Sequence, residues 1–297
     1  MRWQDLQKAG ANANIERRRG GGKAVKGGIG GSIIMGLIAI FFFNQDPGQV
    51  VSSIAQQQMG GGSSTYRPSA EDEMNSDFMG RIKQSTDIIW TDLFQKSGAN
   101  YKIPKLVDYK GRTQMSVGGV ADARMGPFYL PAESTIYIDT DFFDEMKQRF
   151  GGGGDFAYAY VISHEVGHHV QHLLGLTDRV HSKKGRIPEV QYNQLSVRLE
   201  LQADYLAGVW AHHADKRFRQ NNGGKSLLEE GDIQEAMRAA KAIGDDALQR
   251  QAGGRVVEDS FTHGSSEQRL RWFMKGLKSG SVAPRDMDTF SVSYNSL

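Results

Sequence analysis

Residues 154–175 read GDFAYAYVISHEVGHHVQHLLG, and the rest of the chain is best interpreted outward from this stretch. Asp155 stands where a helix commonly starts and Gly175 where one commonly ends, so the pattern predicts one helix between them. Residues four apart on a helix share a face, which lets His164 and His168 direct two imidazoles at one point. Zinc requires this geometry from two of its ligands.

Glu165 follows the first of these histidines and lies about 100° further round the helix axis. From there its carboxylate can reach a water on the open side of the metal and take a proton from it. The pattern His-Glu-x-x-His is short and arises by chance. Its interpretation therefore depends on a third ligand elsewhere in the chain.

The composition excludes several kinds of site. The chain of 297 residues has 36 basic and 34 acidic side chains, and its formal net charge of +2 gives no global field favouring nucleic acid. It has no cysteine, which removes disulfides, catalytic thiols and thiolate metal ligands. Any zinc site must therefore be built from His, Asp and Glu side chains.

A second predicted helix, opening at Asn193 or Ser196 and reaching about residue 214, supplies the best candidate for a third ligand. Glu200 and Asp204 lie on one face of it with alanines, which would let the two helices approach closely. Carboxylates on a buried face need a partner, because an unpaired buried charge is costly. Glu200 is the candidate ligand, and Asp204 would accept the second N–H of a ligating histidine. The alternative is an ordinary exposed Glu/Asp pair beside a core stripe.

His263 lies in a loop before the last predicted helix, where it or Arg269 could donate a hydrogen bond to the oxyanion of a hydrolytic intermediate. The alternative is a Ser or Thr helix cap with incidental basic neighbours. The paired acids Asp245 and Asp246 receive no role beyond capping or surface charge. Ordinary structural positions are predicted for the remaining histidines that could compete as ligands, which are His169, His172, His181, His212 and His213.

The N-terminal region combines a basic cluster with an apolar segment. Residues 27–45 contain no charged side chain, and a helix of nineteen residues spans about 28 Å, close to the hydrocarbon thickness of a bilayer. Positive charge ahead of this segment predicts a cytoplasmic N-terminus, with the rest of the chain on the other side of the membrane. The basic residues concerned are Arg2, Lys8, Arg17, Arg18, Arg19, Lys23 and Lys26.

An uncleaved membrane anchor is favoured over two alternatives. A cleavable signal peptide would use the small residues at 53 and 55, about a dozen residues beyond the apolar run and further than such sites usually lie. A core helix of a soluble protein does not suit the basic cluster before the segment or the polar linker after it. The predicted organisation is a basic, disordered N-terminus at 1–26, a transmembrane anchor at 27–45, a flexible linker at 46–70 and a folded domain at 71–297.

Within the predicted domain the periodicity favours an α+β fold that is mainly helical, with a small sheet. Residues 126–131 and the polar segment 177–192 are predicted to be loops. Strands are predicted at 106–107 and 134–139. The predicted helices are 73–96, 142–150, 155–174, 193 or 196 to 214, 232–251 and 266–278.

Several motifs, in order, resemble those of the neutral zinc metallopeptidase family of bacterial membrane-anchored proteins. The likeness runs from about residue 101 to 290. It implies a zincin-like fold, with a small sheet, an edge strand that can pair with a substrate, and the metal-binding helix behind it. The motifs are GPFY at 126–129, GDFA at 154–157, AYVI at 159–162, HEVGHHVQ at 164–171, SVRLELQAD at 196–204, AGVW at 207–210, IGDD at 243–246 and FTHG at 261–264.

The resemblance also assigns residues. The Glu-x-x-Ala-Asp signature and the His-x5-Arg loop look like those of integral-membrane CAAX-type and heat-shock zinc peptidases, which implies Glu200 as third ligand and places His263 near the metal. Residues 134–139 are the candidate edge strand. The chain is thus predicted to be a single-pass membrane-anchored zinc endopeptidase of the gluzincin type, with its domain outside the cytoplasm. Its substrates would be peptides or proteins, and Zn²⁺ would be held by His164, His168 and Glu200.

Two other functions are compatible with the sequence. One is a zinc-stabilised module that binds extracytoplasmic proteins or envelope polymers without cutting them. The other is a peptidase held inactive, with His263 occupying the open position of the metal. Glu165 argues against the first, because a purely structural site has no use for a general base.

Overall fold

The computed structural model describes residues 1–10, 13–18, 67–149, 154–242, 244–251 and 253–297. They form a mainly helical α+β fold with a small sheet, which confirms the predicted class. The strands are β1 (Ile15–Arg18), β2 (Lys105–Tyr109), β3 (Arg112–Gln114), β4 (Val120–Asp122), β5 (Phe128–Leu130) and β6 (Thr135–Asp139). The helices are α1 (Ala70–Lys96), α2 (Phe142–Arg149), α3 (Asp155–Leu173), α4 (Leu176–His181), α5 (Glu189–Asn221), α6 (Asp232–Ala242), α7 (Asp245–Gln251), α8 (Ser266–Ser279) and α9 (Pro284–Met287).

The main sheet has the strand order β1-β2-β6-β5. β1, β2 and β6 are parallel, and β5 is antiparallel to β6. Leu106 pairs with Ile15 on one side and Ile136 on the other, which brings apolar residues into register across three strands. β3 and β4 form a separate antiparallel pair. The strands predicted at 106–107 and 134–139 are both present.

The prediction that residues 134–139 form an edge strand is wrong. Residues 134–139 do form a strand, but β6 lies inside the sheet, between β2 and β5. The edge on that side is β5, in the segment predicted to be a loop. Pro127 and Pro131 flank this short strand, and prolines are tolerated at the ends of an edge strand because they lack only N–H groups that the ladder does not need there.

The first residues of the chain belong to the fold, so the prediction that residues 1–26 are disordered is wrong for their described part. Met1 and Trp3 are buried, and the ring of Trp3 meets that of Phe78 edge-on, with centroids 5.2 Å apart. The N-terminal ammonium lies 2.9 Å from Oδ1 of Asp232. The sequence suggests disorder because this region is charged, but its partners lie far along the chain: Ile15 pairs with a strand of the domain.

The predicted anchor at 27–45 lies outside the described residues, as does most of the linker at 46–70. In the described part of the chain, no helix is both long enough and apolar enough to cross a membrane. Because β1 pairs with β2, chain segments before and after the predicted anchor lie side by side. A single crossing at 27–45 would separate them, so the predicted arrangement, with 1–26 and 71–297 on opposite sides, does not fit this pairing.

The α3 helix lies at the centre of the molecule and packs against α5 at close range. A Cβ added to Gly167 of α3 would lie 3.0 Å from the carbonyl oxygen of Ala203 on α5, so small residues permit the approach. The α5–α8 contact is tighter still. A Cβ on Gly208 would lie 2.2 Å from the carbonyl oxygen of Phe273, and one on Gly276 would lie 2.0 Å from that of Tyr205.

Several helix boundaries differ from the prediction. The helix predicted over 232–251 is two helices, α6 and α7, because at the start of α7 the backbone N–H of Asp245 bonds to the carbonyl of Gly264, 3.0 Å away, and not to a preceding turn of helix. The α4 helix and the first turns of α5 fall in the segment predicted to be a loop. At the start of α3 the cap is Gly154, without a side-chain hydrogen bond, so Asp155 is the first helical residue and does not cap.

Candidate metal centre

Three side chains from two helices converge on one point. His164 and His168 project from α3, one turn apart, and Glu200 projects from α5. The two Nε2 atoms are 3.1 Å apart. Glu200 places Oε2 at 3.2 Å from Nε2 of His164 and Oε1 at 3.4 Å from Nε2 of His168.

These separations fit a tetrahedral zinc ion. Ligand atoms about 2.0–2.1 Å from zinc in tetrahedral geometry lie about 3.3 Å from one another. The three measured distances, 3.1, 3.2 and 3.4 Å, bracket that value. The side chain of His168 is 18% exposed, whereas those of His164 and Glu200 are nearly buried, so the cluster opens toward solvent on the His168 side.

Each histidine is oriented by a hydrogen bond at its other nitrogen. Nδ1 of His164 lies 2.9 Å from Oδ1 of Asp204, and Nδ1 of His168 lies 2.9 Å from Oε1 of Gln171. Because both acceptors take an Nδ1–H, each ring presents Nε2 toward Glu200, as metal ligation requires. This is the contact predicted for Asp204. The role of Gln171 was missed, although its place three residues after His168 on the same helix is a usable signal.

Asp204 is held by a buried polar network. Tyr160 donates to its Oδ1 at 2.5 Å, and Arg269 donates from Nε to Oδ2 at 2.9 Å and from Nη2 to Oδ1 at 3.0 Å. Burial raises the pKa of Asp204, but Arg269 and His164 outweigh it, and the pKa lies below its usual value. Arg269 thus binds the aspartate that orients His164, which makes His263 the better candidate for an oxyanion donor.

Glu165 is buried beside the two histidines, and the backbone of Tyr129 on β5 is near enough to lower its pKa slightly. Burial raises its pKa above the usual value, despite the nearby histidines. The Tyr129 hydroxyl lies 2.9 Å from Nδ1 of His169, whose Nε2 donates to the carbonyl of Lys102 at 2.6 Å. These contacts fix the edge strand against α3, next to Glu165. Burial lowers the pKa of His169 to about 4, so its ring is neutral.

His263 lies in the loop before α8, close enough to Glu200 for their charges to interact. Its ring is buried, and the charges of His263 and Glu200 shift each other's pKa. Burial alone would lower the pKa of His263. The nearby Asp245 carboxylate has the larger, opposite effect, so the pKa of His263 lies above its usual value. His212 and His213 lie elsewhere and bond to the carbonyls of Leu277 and Gly280 near the end of α8.

The acidic neighbours of His164 favour its protonated form. Burial disfavours a charged His164, but Asp204 and Glu200 outweigh it and raise the pKa of His164 to about 10. Burial likewise disfavours a charged Glu200, yet the two histidines hold its pKa well below the usual range. The carboxylate is therefore ready to bind a cation, and a metal must displace the proton on His164.

Two histidines one turn apart, a glutamate from a second helix and a further glutamate beside the first histidine define a site of the metallopeptidase class. The chain belongs to the family described as "Putative neutral zinc metallopeptidase", whose model matches residues 1–290. The matched residues include the N-terminal strand, β1.

Relatives of similar sequence are bacterial. YpfJ of Escherichia coli strain K12 is 42% identical over 302 residues, which cover 99% of this chain and 100% of that protein. Rv2575 of Mycobacterium tuberculosis strain H37Rv is 41% identical over 214 residues, covering 70% of this chain and 68% of that protein. No solved structure matches the chain.

Proposed function

We propose that the chain is a zinc endopeptidase in which Glu165 activates the attacking water. The observation that carries the proposal is the position of Glu165, between a cluster that fits zinc and the edge strand β5. A structural zinc site has no need of a buried carboxylate on its open side. An edge strand there adds a place for an extended peptide.

The substrate would pair with β5 rather than with β6. On its outer side β5 has no partner strand among the described residues, and such an edge can accept an extended chain through backbone hydrogen bonds. Because Tyr129 bonds to His169 of α3 and its backbone lies near Glu165, a peptide on the β5 edge would pass beside the metal cluster. Proteins with unfolded segments are the expected substrates.

Zinc, when bound, would polarise the peptide carbonyl and acidify the attacking water. Glu165 takes the proton of that water and then delivers it to the nitrogen of the leaving amine. Its raised pKa makes the carboxylate a stronger base for the first step, and a pKa nearer to the working pH lets the same group take the proton and then deliver it. His263 would donate to the oxygen that becomes negative, while Arg269 and Asp204 keep His164 in place.

Membrane attachment rests on the charge-free segment at 27–45. The fold adds one condition, since β1 and β2 pair and must share a compartment. We therefore propose that the segment attaches the protein to a membrane with residues 1–18 and the metal-binding helices on the same side.

The test is Glu165→Gln in the full chain. Zinc content and cleavage of unfolded casein would be measured for this variant, the wild type and a control, Glu267→Gln, whose side chain is 83% exposed on α8. All three proteins should hold one zinc, and only Glu165→Gln should lose activity, by about 10²–10⁴-fold. If all three hold zinc and none cleaves, the chain is a binding module and the enzyme proposal is wrong.

A further inference from the structure

Asp245 connects the loop that carries His263 to the rest of the domain. Its Oδ2 accepts three backbone N–H groups, from Thr262 at 2.7 Å, His263 at 2.7 Å and Gly264 at 3.1 Å. Its Oδ1 lies 3.1 Å from Nδ1 of the His263 ring. The carboxylate is 2% exposed, so these bonds are made away from water.

The two oxygens of this carboxylate have different tasks. Three N–H donors on Oδ2 fix the path of the loop. The hydroxyl of Thr262 also lies 3.1 Å from Nδ1 of His263, but a hydroxyl can donate or accept and therefore does not fix a proton there. Oδ1 also determines the orientation and protonation of the His263 ring. A carboxylate oxygen can only accept a hydrogen bond, and it therefore keeps a proton on Nδ1. Nε2 lies on the opposite side of the ring from Asp245.

The neighbouring Asp246 also holds backbone in place, but it does not orient the ring of His263. Oδ1 of Asp246 accepts the backbone N–H and the hydroxyl of Ser266, both at 2.7 Å, at the start of α8. Together Asp245 and Asp246 attach the start of α7 to the start of α8. Among the described residues, Asp246 bonds to Ser266 and Arg250 and makes no hydrogen bond to His263.

We propose that Asp245 is a positioning residue for catalysis: its Oδ1 accepts the Nδ1–H of a His263 ring that carries both protons, which orients the ring so that Nε2–H faces the reacting carbonyl. The proposal rests on the proposed function, because His263 needs an oxyanion only if peptide bonds are cut. A charged donor aimed at a developing negative charge stabilises the transition state more than it stabilises the bound substrate.

Asp245→Asn separates the two tasks. The amide oxygen can still accept the three backbone N–H groups, which places the amide NH₂ against Nδ1 of His263. Two donors cannot face each other, so Nδ1 must lose its proton or the ring must turn away. Asp246→Asn is the matched control, since it weakens the same helix contact without touching His263.

The first measurement is the nitrogen NMR spectrum of the imidazoles in the zinc-loaded full chain, with the His263 signals identified by their loss in His263→Ala. Nδ1 of His263 should be protonated in the wild type and in Asp246→Asn, and should change in Asp245→Asn. This result does not depend on activity. An unchanged Nδ1 signal in Asp245→Asn would overturn the proposal.

The second measurement is peptide cleavage. In Asp245→Asn, kcat should fall at least tenfold with KM and zinc content unchanged, whereas Asp246→Asn should keep its kcat. The double variant Asp245→Asn/His263→Ala should be no slower than His263→Ala, because Asp245 acts through the ring. Wild-type kcat in Asp245→Asn, with Glu165→Gln inactive, would overturn this proposal and leave the proposed function standing. Full activity in Glu165→Gln would instead overturn the proposed function.

Discussion

At the scale of single residues, the three candidate metal ligands depend on side chains that lie outside their cluster. Asp204 orients His164 and is itself held by Arg269 and Tyr160, while Gln171 orients His168. Gln171 is in turn fixed by donating to the carbonyl of Leu199 at 2.7 Å. The two helices that supply ligands are therefore tied together next to the site.

Gln171→Ala should weaken zinc binding about tenfold, because loss of an outer hydrogen bond lets the ligating ring of His168 turn. The affinity would be measured by competition with a zinc chelator. His172→Ala is the control one residue further on, where the ring lies 6.2 Å from that of Tyr129 and its Nδ1 lies 3.8 Å from Asp178. Equal affinities for Gln171→Ala and the wild type would show that the helix alone orients His168.

Zinc affinity should fall as the solution becomes more acidic. Since the pKa of His164 is about 10 without metal, this ring holds a proton at neutral pH that zinc must displace. One displaced proton changes the apparent affinity about tenfold per pH unit below that pKa. Chelator competition from pH 8 to pH 6 measures the slope, and calorimetry in two buffers counts the protons released. A flat profile would mean that His164 is already neutral in the metal-free protein.

The sequence was sufficient to predict which three side chains converge, but not everything that surrounds them. The helical repeat brings His164 and His168 together, and the absence of cysteine directs attention to Glu200. Asp245 could not be assigned, because its partner His263 is eighteen residues away and the contact depends on a break in a helix that the periodicity does not reveal.

At the scale of elements, the α5–α8 contact determines whether Arg269 can reach Asp204. Gly208 and Gly276 allow the two backbones to touch, and Arg269 lies on the same helix as Gly276. The conformational freedom of glycine is not what matters here, since both residues are helical. Their lack of a side chain is what the packing uses.

Gly276→Ala should destabilise the fold and weaken zinc binding together. The new methyl group would overlap the carbonyl of Tyr205, and overpacking of this kind typically costs about 1–3 kcal/mol or more. Denaturant unfolding and chelator competition would measure the two effects. Lys278→Ala, an exposed position on the same helix, should change neither. An unaltered unfolding free energy for Gly276→Ala would mean that the helices can separate at no cost.

The local sequence pattern predicted the bounds of α1 and α8 well, but it predicted the arrangement of the sheet less well. α1 and α8 lie close to their predicted bounds, because each has a clear apolar repeat and a serine cap. The position of β5 at the edge and of β1 in the sheet depends on pairing between distant segments. Such pairing is decided by the assembled core and not by the residues of the strand alone.

At the scale of the whole molecule, β1 makes the N-terminal segment part of the metal-binding domain. This segment contributes Met1 and Trp3 to the core and a strand to the sheet. Residues that precede the apolar segment at 27–45 are thus structurally inseparable from those that follow it. The charge pattern alone predicted that these two parts of the chain lie on opposite sides of a membrane. Charge indicates how a segment would be inserted, but not which residues it packs against.

Residues 1–18 and the metal-binding helices should therefore be accessible from the same side of a membrane. The chain has no cysteine, so single cysteines can be placed at Lys8 and at Lys183, which are both exposed. Each variant would be produced in bacteria and treated with a maleimide that does not cross membranes, before and after the inner membrane is opened. The two sites should be labelled together, either both from outside or both only after opening. Labelling of one site from outside and of the other only after opening would establish a single crossing, and would show that β1 does not pair with β2 in the cell.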